Sequence, residues 1–255
     1  MKKTFISLSL LILFSDCFIT RRLIFVPKGK PLHPNYSGKL VKVPSSNRTA
    51  IGYFTQNGSK LLVLFHGQFG SIYNFSYLGS QLVQNGYSVL LVEYPGYGLA
   101  KEFSASESNI YEDSQVLIQH VQTTYHFKPS NTISLGYSLG TGVAVEMTNR
   151  KLSEKTILFA PYSSIPAVAS IRYVPLLPHL LIIDRFDTYS KSSEIKSKVL
   201  IFHGNKDEII PFSMGKELSK RFSNVEFIEI KGGSHNLFST FNSSHWLKLN
   251  NFITR

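Results

Sequence analysis

Cysteine occurs once in 255 residues, at Cys17, so the chain can form no internal disulfide and no cysteine-built zinc cage. Low-complexity tracts, repeats at solenoid or propeller periods and a run of about twenty apolar residues are also missing, which removes repeat architectures and makes a simple spanning helix the weaker reading. Acidic residues are scarce at one end only. Residues 1–60 carry ten Lys and Arg against the single acid Asp16, whereas residues 61–255 carry seventeen against fifteen. The net charge of +11 is therefore an N-terminal excess on a nearly neutral body. Because the aromatics of that body are not interleaved with basic clusters, a nucleic-acid groove is excluded as a reading. A basic stretch beside an apolar one fits an anionic membrane surface instead.

What remains is a chain with 43% apolar residues, long enough for one open α/β domain with one sheet. Residues 1–22 read as a separate segment and 23–255 as the domain. Met1-Lys2-Lys3 followed by the apolar stretch 5–14 has the order of a signal sequence. Cys17 just beyond it resembles the lipidated cysteine of a bacterial lipoprotein signal, although Phe14 and Asp16 stand where small residues are usual. Arg21-Arg22 argue the other way, since positive charge after an apolar segment favours retention on the cytoplasmic side. Three expectations stay open: an exported or lipidated protein, an uncleaved membrane anchor, and a merely apolar N-terminus.

Past residue 37, β-rich runs alternate with helical periodicity, the pattern of βαβ units around a mostly parallel sheet. Strands are predicted at 39–43 and 49–54, as an antiparallel opening pair, then at 61–65, 88–92, 133–136, 156–159, 199–202 and 225–230. Helices are predicted at 73–84, 106–125, 141–150, 211–222 and 238–252. Continuous apolar runs such as Leu61-Leu62-Val63-Leu64-Phe65 are what strands covered on both faces require. Residues 161–198, rich in Pro and apolar side chains, have room for a lid or a lone helix but not for a large cap domain.

Gly136-Tyr137-Ser138-Leu139-Gly140 stands between a predicted strand and a predicted helix. In a G-x-S-x-G elbow the serine sits in a strained turn, and the glycines let strand and helix approach while its hydroxyl projects from the strand end. The amide of Leu139, at the helix start, can then stabilise an oxyanion, and that of Gln68, in the loop after 61–65, is the second candidate donor. A serine nucleophile needs a base and a group that orients it, in the order Ser, acid, His. Asp207 follows one buried strand and His235 follows the last, both at C-terminal strand ends where open α/β sheets carry their sites. Glu208 competes for the role of acid, and Asp207 has the rival reading of a helix cap.

Among the other polar residues, His66 and His203, each followed by glycine, read as loop braces. Glu93 reads as an anchor for loop amides, and Asp113, Asp184 and Asp187 as helix or loop carboxylates. Phe69, Tyr162 and Leu177 are expected in the walls of a substrate pocket.

Four elements carry a resemblance: His66-Gly67, Val92-Glu93-Tyr94-Pro95-Gly96-Tyr97-Gly98, Gly136 to Gly142, and His203-Gly204-Asn205-Lys206-Asp207-Glu208-Ile209-Ile210-Pro211. With them, the stretch from Leu61 to about Phe238 resembles the α/β-hydrolase-domain-containing serine hydrolases, a group that includes membrane-associated protein depalmitoylases. The resemblance implies an α/β-hydrolase fold with about eight strands, helices on both faces and a small or absent lid. It also implies the triad Ser138, Asp207 and His235, an ester or thioester substrate that is a small molecule or lipid, and no metal or organic cofactor. Gln68 departs from the family, many of whose members have Asn there. Two rival functions stand beside hydrolysis: a catalytically silent scaffold that binds a partner or lipid at a membrane, and an acyltransferase using the same triad.

Overall fold

The computed structural model describes residues 20–27, 36–172 and 182–255. The apolar stretch 5–14, Cys17 and the pocket residue Leu177 lie outside the described residues. An eight-stranded sheet has the order β1-β2-β4-β3-β5-β6-β7-β8. Its strands are β1 (Lys39–Ser45), β2 (Arg48–Thr55), β3 (Leu61–Phe65), β4 (Ser88–Glu93), β5 (Thr132–Tyr137), β6 (Lys155–Phe159), β7 (Lys198–Gly204) and β8 (Val225–Ile230). The first two form the expected antiparallel pair, β2 also runs antiparallel to β4, and every other pairing is parallel.

Strand alternation divides the interior into two layers. Leu61, Val63, Phe65, Leu90 and Val92 pack on one face with α2 (Glu107–Tyr125), α3 (Leu139–Asn149) and α6 (Phe212–Ser219), through Leu117, Val143 and Leu218. Leu62, Leu64, Val89 and Leu91 pack on the other with α1 (Ile72–Gln84) and α7 (Ser243–Thr254), through Phe75, Leu82 and Leu249. This two-sided cover is why the central strands read as unbroken apolar runs.

The residues 161–198 contain two short helices that periodicity did not mark, α4 (Ile165–Arg172) and α5 (Thr188–Ser192). The helix predicted at 238–252 begins later. Asn242 caps α7, accepting from the amides of Ser244 and His245, while Leu237–Ser239 form a separate 3₁₀ turn. An asparagine three residues before a histidine is a weaker start signal than Ser/Thr before Glu, and the apolar residues upstream extended the apparent period.

The boundary expected at residue 22 falls inside a short helical stretch. Residues 20–24 are helical and packed against the domain: Thr20, Ile24 and Phe25 are buried, and Phe25 meets Phe186 edge to face at 6.2 Å. Arg21 and Arg22 within this short stretch, with Lys28 and Lys30 after it, hid its apolar contacts from a reading by charge. Among the described residues no helix is long and apolar enough to cross a membrane.

Candidate active site

The turn between β5 and α3 is built by close approach. A Cβ on Gly136 would lie 2.3 Å from the Gly140 carbonyl oxygen, and one on Gly140 would lie 2.1 Å from that of Phe65, so neither position admits a side chain without moving backbone. Between them Ser138 takes φ 52° and ψ −120°, a conformation that costs on the order of 1–3 kcal/mol and survives only where its surroundings enforce it. They do so through the Ser138 amide, which donates to the Phe159 carbonyl at 2.9 Å, and through Thr141, whose amide and hydroxyl both donate to the Ser138 carbonyl.

The other two residues come from the ends of β7 and β8. Nε2 of His235 lies 3.0 Å from Oγ of Ser138, and Nδ1 lies 2.9 Å from Oδ2 and 3.1 Å from Oδ1 of Asp207. A carboxylate facing Nδ1 keeps the proton on that nitrogen, which leaves the Nε2 lone pair toward the serine hydroxyl. Asp207 is wholly buried. Its Oδ1 also accepts the amides of Ile209 and Ile210, each at 2.8 Å. Both amides lie in the loop before α6, whose N-terminus receives no side-chain cap, so Asp207 does not act as the cap of that helix. Burial by itself would raise the Asp207 carboxyl. Hydrogen bonds from His203 and His235, with the charge of His235, outweigh it and hold the group well below the usual carboxylate range.

Glu208 is placed differently from its neighbour. It accepts the backbone amide of His235 at 3.1 Å, while Tyr137 donates its hydroxyl to the His235 carbonyl at 2.9 Å. These two contacts clamp the main chain that carries the imidazole. Tyr137, the variable residue of the elbow motif, had no sequence signal for this task. His203 is fully buried behind Asp207, with Nε2 3.1 Å from the Ile210 carbonyl and 3.3 Å from Oδ2 of Asp207. His66 stacks on Tyr94 at 3.9 Å, with Nδ1 2.9 Å from the Gly67 carbonyl and Nε2 3.4 Å from Glu93. Glu93 also accepts the amides of Ile72 and Leu99, the anchoring expected of it.

The carboxylates read as structural are engaged away from the serine. Asp113 is buried against Arg48 at 3.0 Å and the Ser45 hydroxyl, Asp184 pairs with Arg21 at 2.7 Å, and Asp187 caps α5.

Ser138 opens onto an apolar cavity of about 890 Å³, solvent at its mouth included. Of the expected wall residues, Phe69 and Tyr162 line it, and so do Gln68 and Leu139. Leu139 is the first residue of α3, so its amide has no acceptor within the helix. Sequence reasoning did not anticipate three groups of wall residues: Thr20, Leu23 and Ile24 from the N-terminal segment, Ile165, Val168 and Ala169 from α4, and Ile209 and Ile210 beside Asp207. Isolated apolar residues on separate short segments carry no period that would show them to share a cavity.

Comparison with known proteins places this geometry. Residues 56–186, slightly more than half of the chain, match the Hydrolase_4 family described as serine aminopeptidase, S33. An α/β hydrolase of Acanthamoeba polyphaga mimivirus is 30% identical over 181 residues, 69% of this chain and 67% of that protein. Alpha/beta hydrolase domain-containing protein 17B of Homo sapiens is 32% identical over 204 residues, 77% of this chain and 68% of that one. The Xenopus tropicalis 17B protein is 33% identical over 190 residues, but the match spans 62% of its length. An esterase from Pyrococcus furiosus superposes with a TM-score of 0.75 at 17% identity, covering 91% of this chain and 97% of that one. Est1E from Butyrivibrio proteoclasticus, solved with ferulic acid, gives 0.68 at 15% identity over 82% and 98%. At such identities the two structures attest the fold, and the family rests on the sequence matches. The chain belongs to the α/β-hydrolase family described as serine aminopeptidase, S33, and is a serine hydrolase.

Proposed function

We propose that the protein cleaves carboxylic esters or thioesters of apolar acyl groups through an acyl-enzyme on Ser138. His235 takes the serine proton as Oγ attacks the carbonyl carbon, and Asp207 holds the imidazole in the tautomer that can accept it. The amides of Leu139 and Gln68 receive the oxyanion. Collapse of the tetrahedral intermediate expels the alcohol or thiol, protonated by His235, and water activated by the same histidine then releases the acid.

The single observation that carries the reading is that the continuous contact from Asp207 through His235 to Ser138 ends at the foot of an apolar cavity. An apolar cavity with a few convergent polar groups at one end suits an acyl chain whose carbonyl must be oriented. The test is hydrolysis of p-nitrophenyl butyrate and laurate by the full chain beside Ser138→Ala. Turnover is expected to fall by three or more orders of magnitude in the variant, by comparison with other triads. Equal turnover in the two proteins would remove Ser138 from the chemistry.

A further inference from the structure

We infer that residues 20–24 form one wall of the acyl-binding cavity, latched by Arg21 to Asp184, so that the segment leading into the apolar N-terminus sets which acyl chains the enzyme accepts. The inference rests on the proposed ester or thioester hydrolysis and adds the residues that select the substrate.

Thr20, Leu23 and Ile24 line the cavity together with Ile165, Val168 and Ala169 of α4, and Ser138 lines it too. Ile24 is buried, whereas Leu23 is 58% exposed and so stands at the mouth. Without the 20–24 wall the cavity would be a groove open to water. An apolar chain lying in it would lose contact and burial along that side.

A five-residue helical stretch has little stability of its own, so something must hold it. The structure shows a fastening at each end and one between. Nε of Arg21 meets Oδ2 of Asp184 at 2.7 Å, and Nη2 approaches Oδ1 at 3.5 Å, a two-point contact on a carboxylate that is only 4% exposed. Asp184 is itself fixed by the amide of Glu107 at 2.7 Å, and Glu107 in turn accepts the Arg185 amide, which ties the latch to the start of α2. At the other end Ile24 and Phe25 are buried, with Phe25 packed edge to face on Phe186. Between them the Gln68 side-chain amide donates to the Leu23 carbonyl.

The Gln68 contact gives a reason for the departure noted in the sequence. Asparagine at 68 is one methylene shorter and would fall short of Leu23. The wall and the loop offering the second oxyanion donor are therefore joined through one residue, whose carbonyl also accepts the Tyr97 hydroxyl at 3.0 Å. The bond ties the position of the N-terminal segment to the loop beside the reacting carbonyl.

The test compares kcat/KM for p-nitrophenyl laurate with that for the butyrate, using the full chain in one detergent. Ile24→Trp fills the cavity and is expected to lower the laurate-to-butyrate ratio at least about tenfold, since single-methylene differences in such pockets already discriminate by that much. Arg21→Ala releases the latch and is expected to lower the ratio by a similar factor through KM, with Arg21→Lys restoring part of it. Leu23→Ala, at an exposed position, probes the same wall if the tryptophan variant does not fold, and is also expected to lower the ratio. Labelling of Ser138 by a fluorophosphonate reports an assembled site in each variant. Variants that label at the wild-type rate and keep the wild-type ratio overturn the inference while leaving the hydrolase reading intact. A wild-type protein that turns over neither ester in a Ser138-dependent way overturns both.

Discussion

Replacing Asp207 with asparagine separates the two tasks of its carboxylate, because the surrounding amides dictate how the new side chain must sit. Oδ1 accepts from Ile209 and Ile210, so the asparagine carbonyl oxygen is held there, and rotating the group would set an NH₂ against two N–H donors. The NH₂ then occupies the place of Oδ2, facing Nδ1 of His235. Nδ1 must now accept, the proton moves to Nε2, and that nitrogen points a hydrogen at Ser138 instead of a lone pair. The expected fall in kcat is about 10,000-fold, as for the same tautomer error in another triad, equivalent to about 5.4 kcal/mol of barrier. Folding should persist, because neutral acceptance replaces charge-assisted acceptance at a cost of about 1–2 kcal/mol. Glu208→Gln is the control: its carboxylate meets the His235 main chain, and a glutamine carbonyl can still accept that amide, so turnover should stay within about threefold. The assay is p-nitrophenyl butyrate hydrolysis at pH 7 and 9, with urea titration of each variant. Asp207→Asn within tenfold of wild type, or Glu208→Gln as damaged as Asp207→Asn, would refute the assignment of the acid.

Two further outcomes concern stability. Arg48→Met strands the buried Asp113 carboxylate with Ser45 as its remaining hydroxyl partner, and should cost about 3 kcal/mol, or roughly 10 °C in Tm for a domain of this size. Arg48→Met with Asp113→Leu should recover most of that loss, and a single variant as stable as wild type would show the pair to be dispensable. The second is a dependence on pH. Because the folded Asp207 carboxyl lies well below its unfolded value of about 3.9, the unfolded chain binds the proton first as pH falls, and the contribution of Asp207, complete near neutrality, begins to fall below that value and goes on falling until pH passes the folded one. The urea midpoints of wild type and Asp207→Asn should therefore differ at pH 7 and converge toward pH 3, whereas a constant gap would contradict the depressed ionisation.

The central sheet was legible because strands buried on both faces must be apolar at every position, and the elbow was legible because its glycines answer to backbone contact. Asp207 and His235 followed from chain order and strand ends, and the structure brings both to Ser138. The cavity was legible only in part. Phe69 was expected from its place in the oxyanion loop and Tyr162 from its place in the segment 161–198, but Ile24, Val168 and Ile210 meet through tertiary packing of short segments with no shared period. The late start of α7 and the docking of residues 20–25 escaped for a related reason: a weak cap and flanking charges mask contacts that only the folded chain creates.

The fastening of residues 20–24 also fixes a length of leash. Thr20 lies in the wall of the cavity, and the apolar stretch of the sequence ends at Phe14. Six residue steps of fully extended chain reach about 20 Å. Were residues 5–14 to adhere to a surface, Thr20 could stray no further than that from it. A substrate confined to the same surface would then meet the enzyme at the effective concentration of a short tether, set by geometry and not by its amount in bulk.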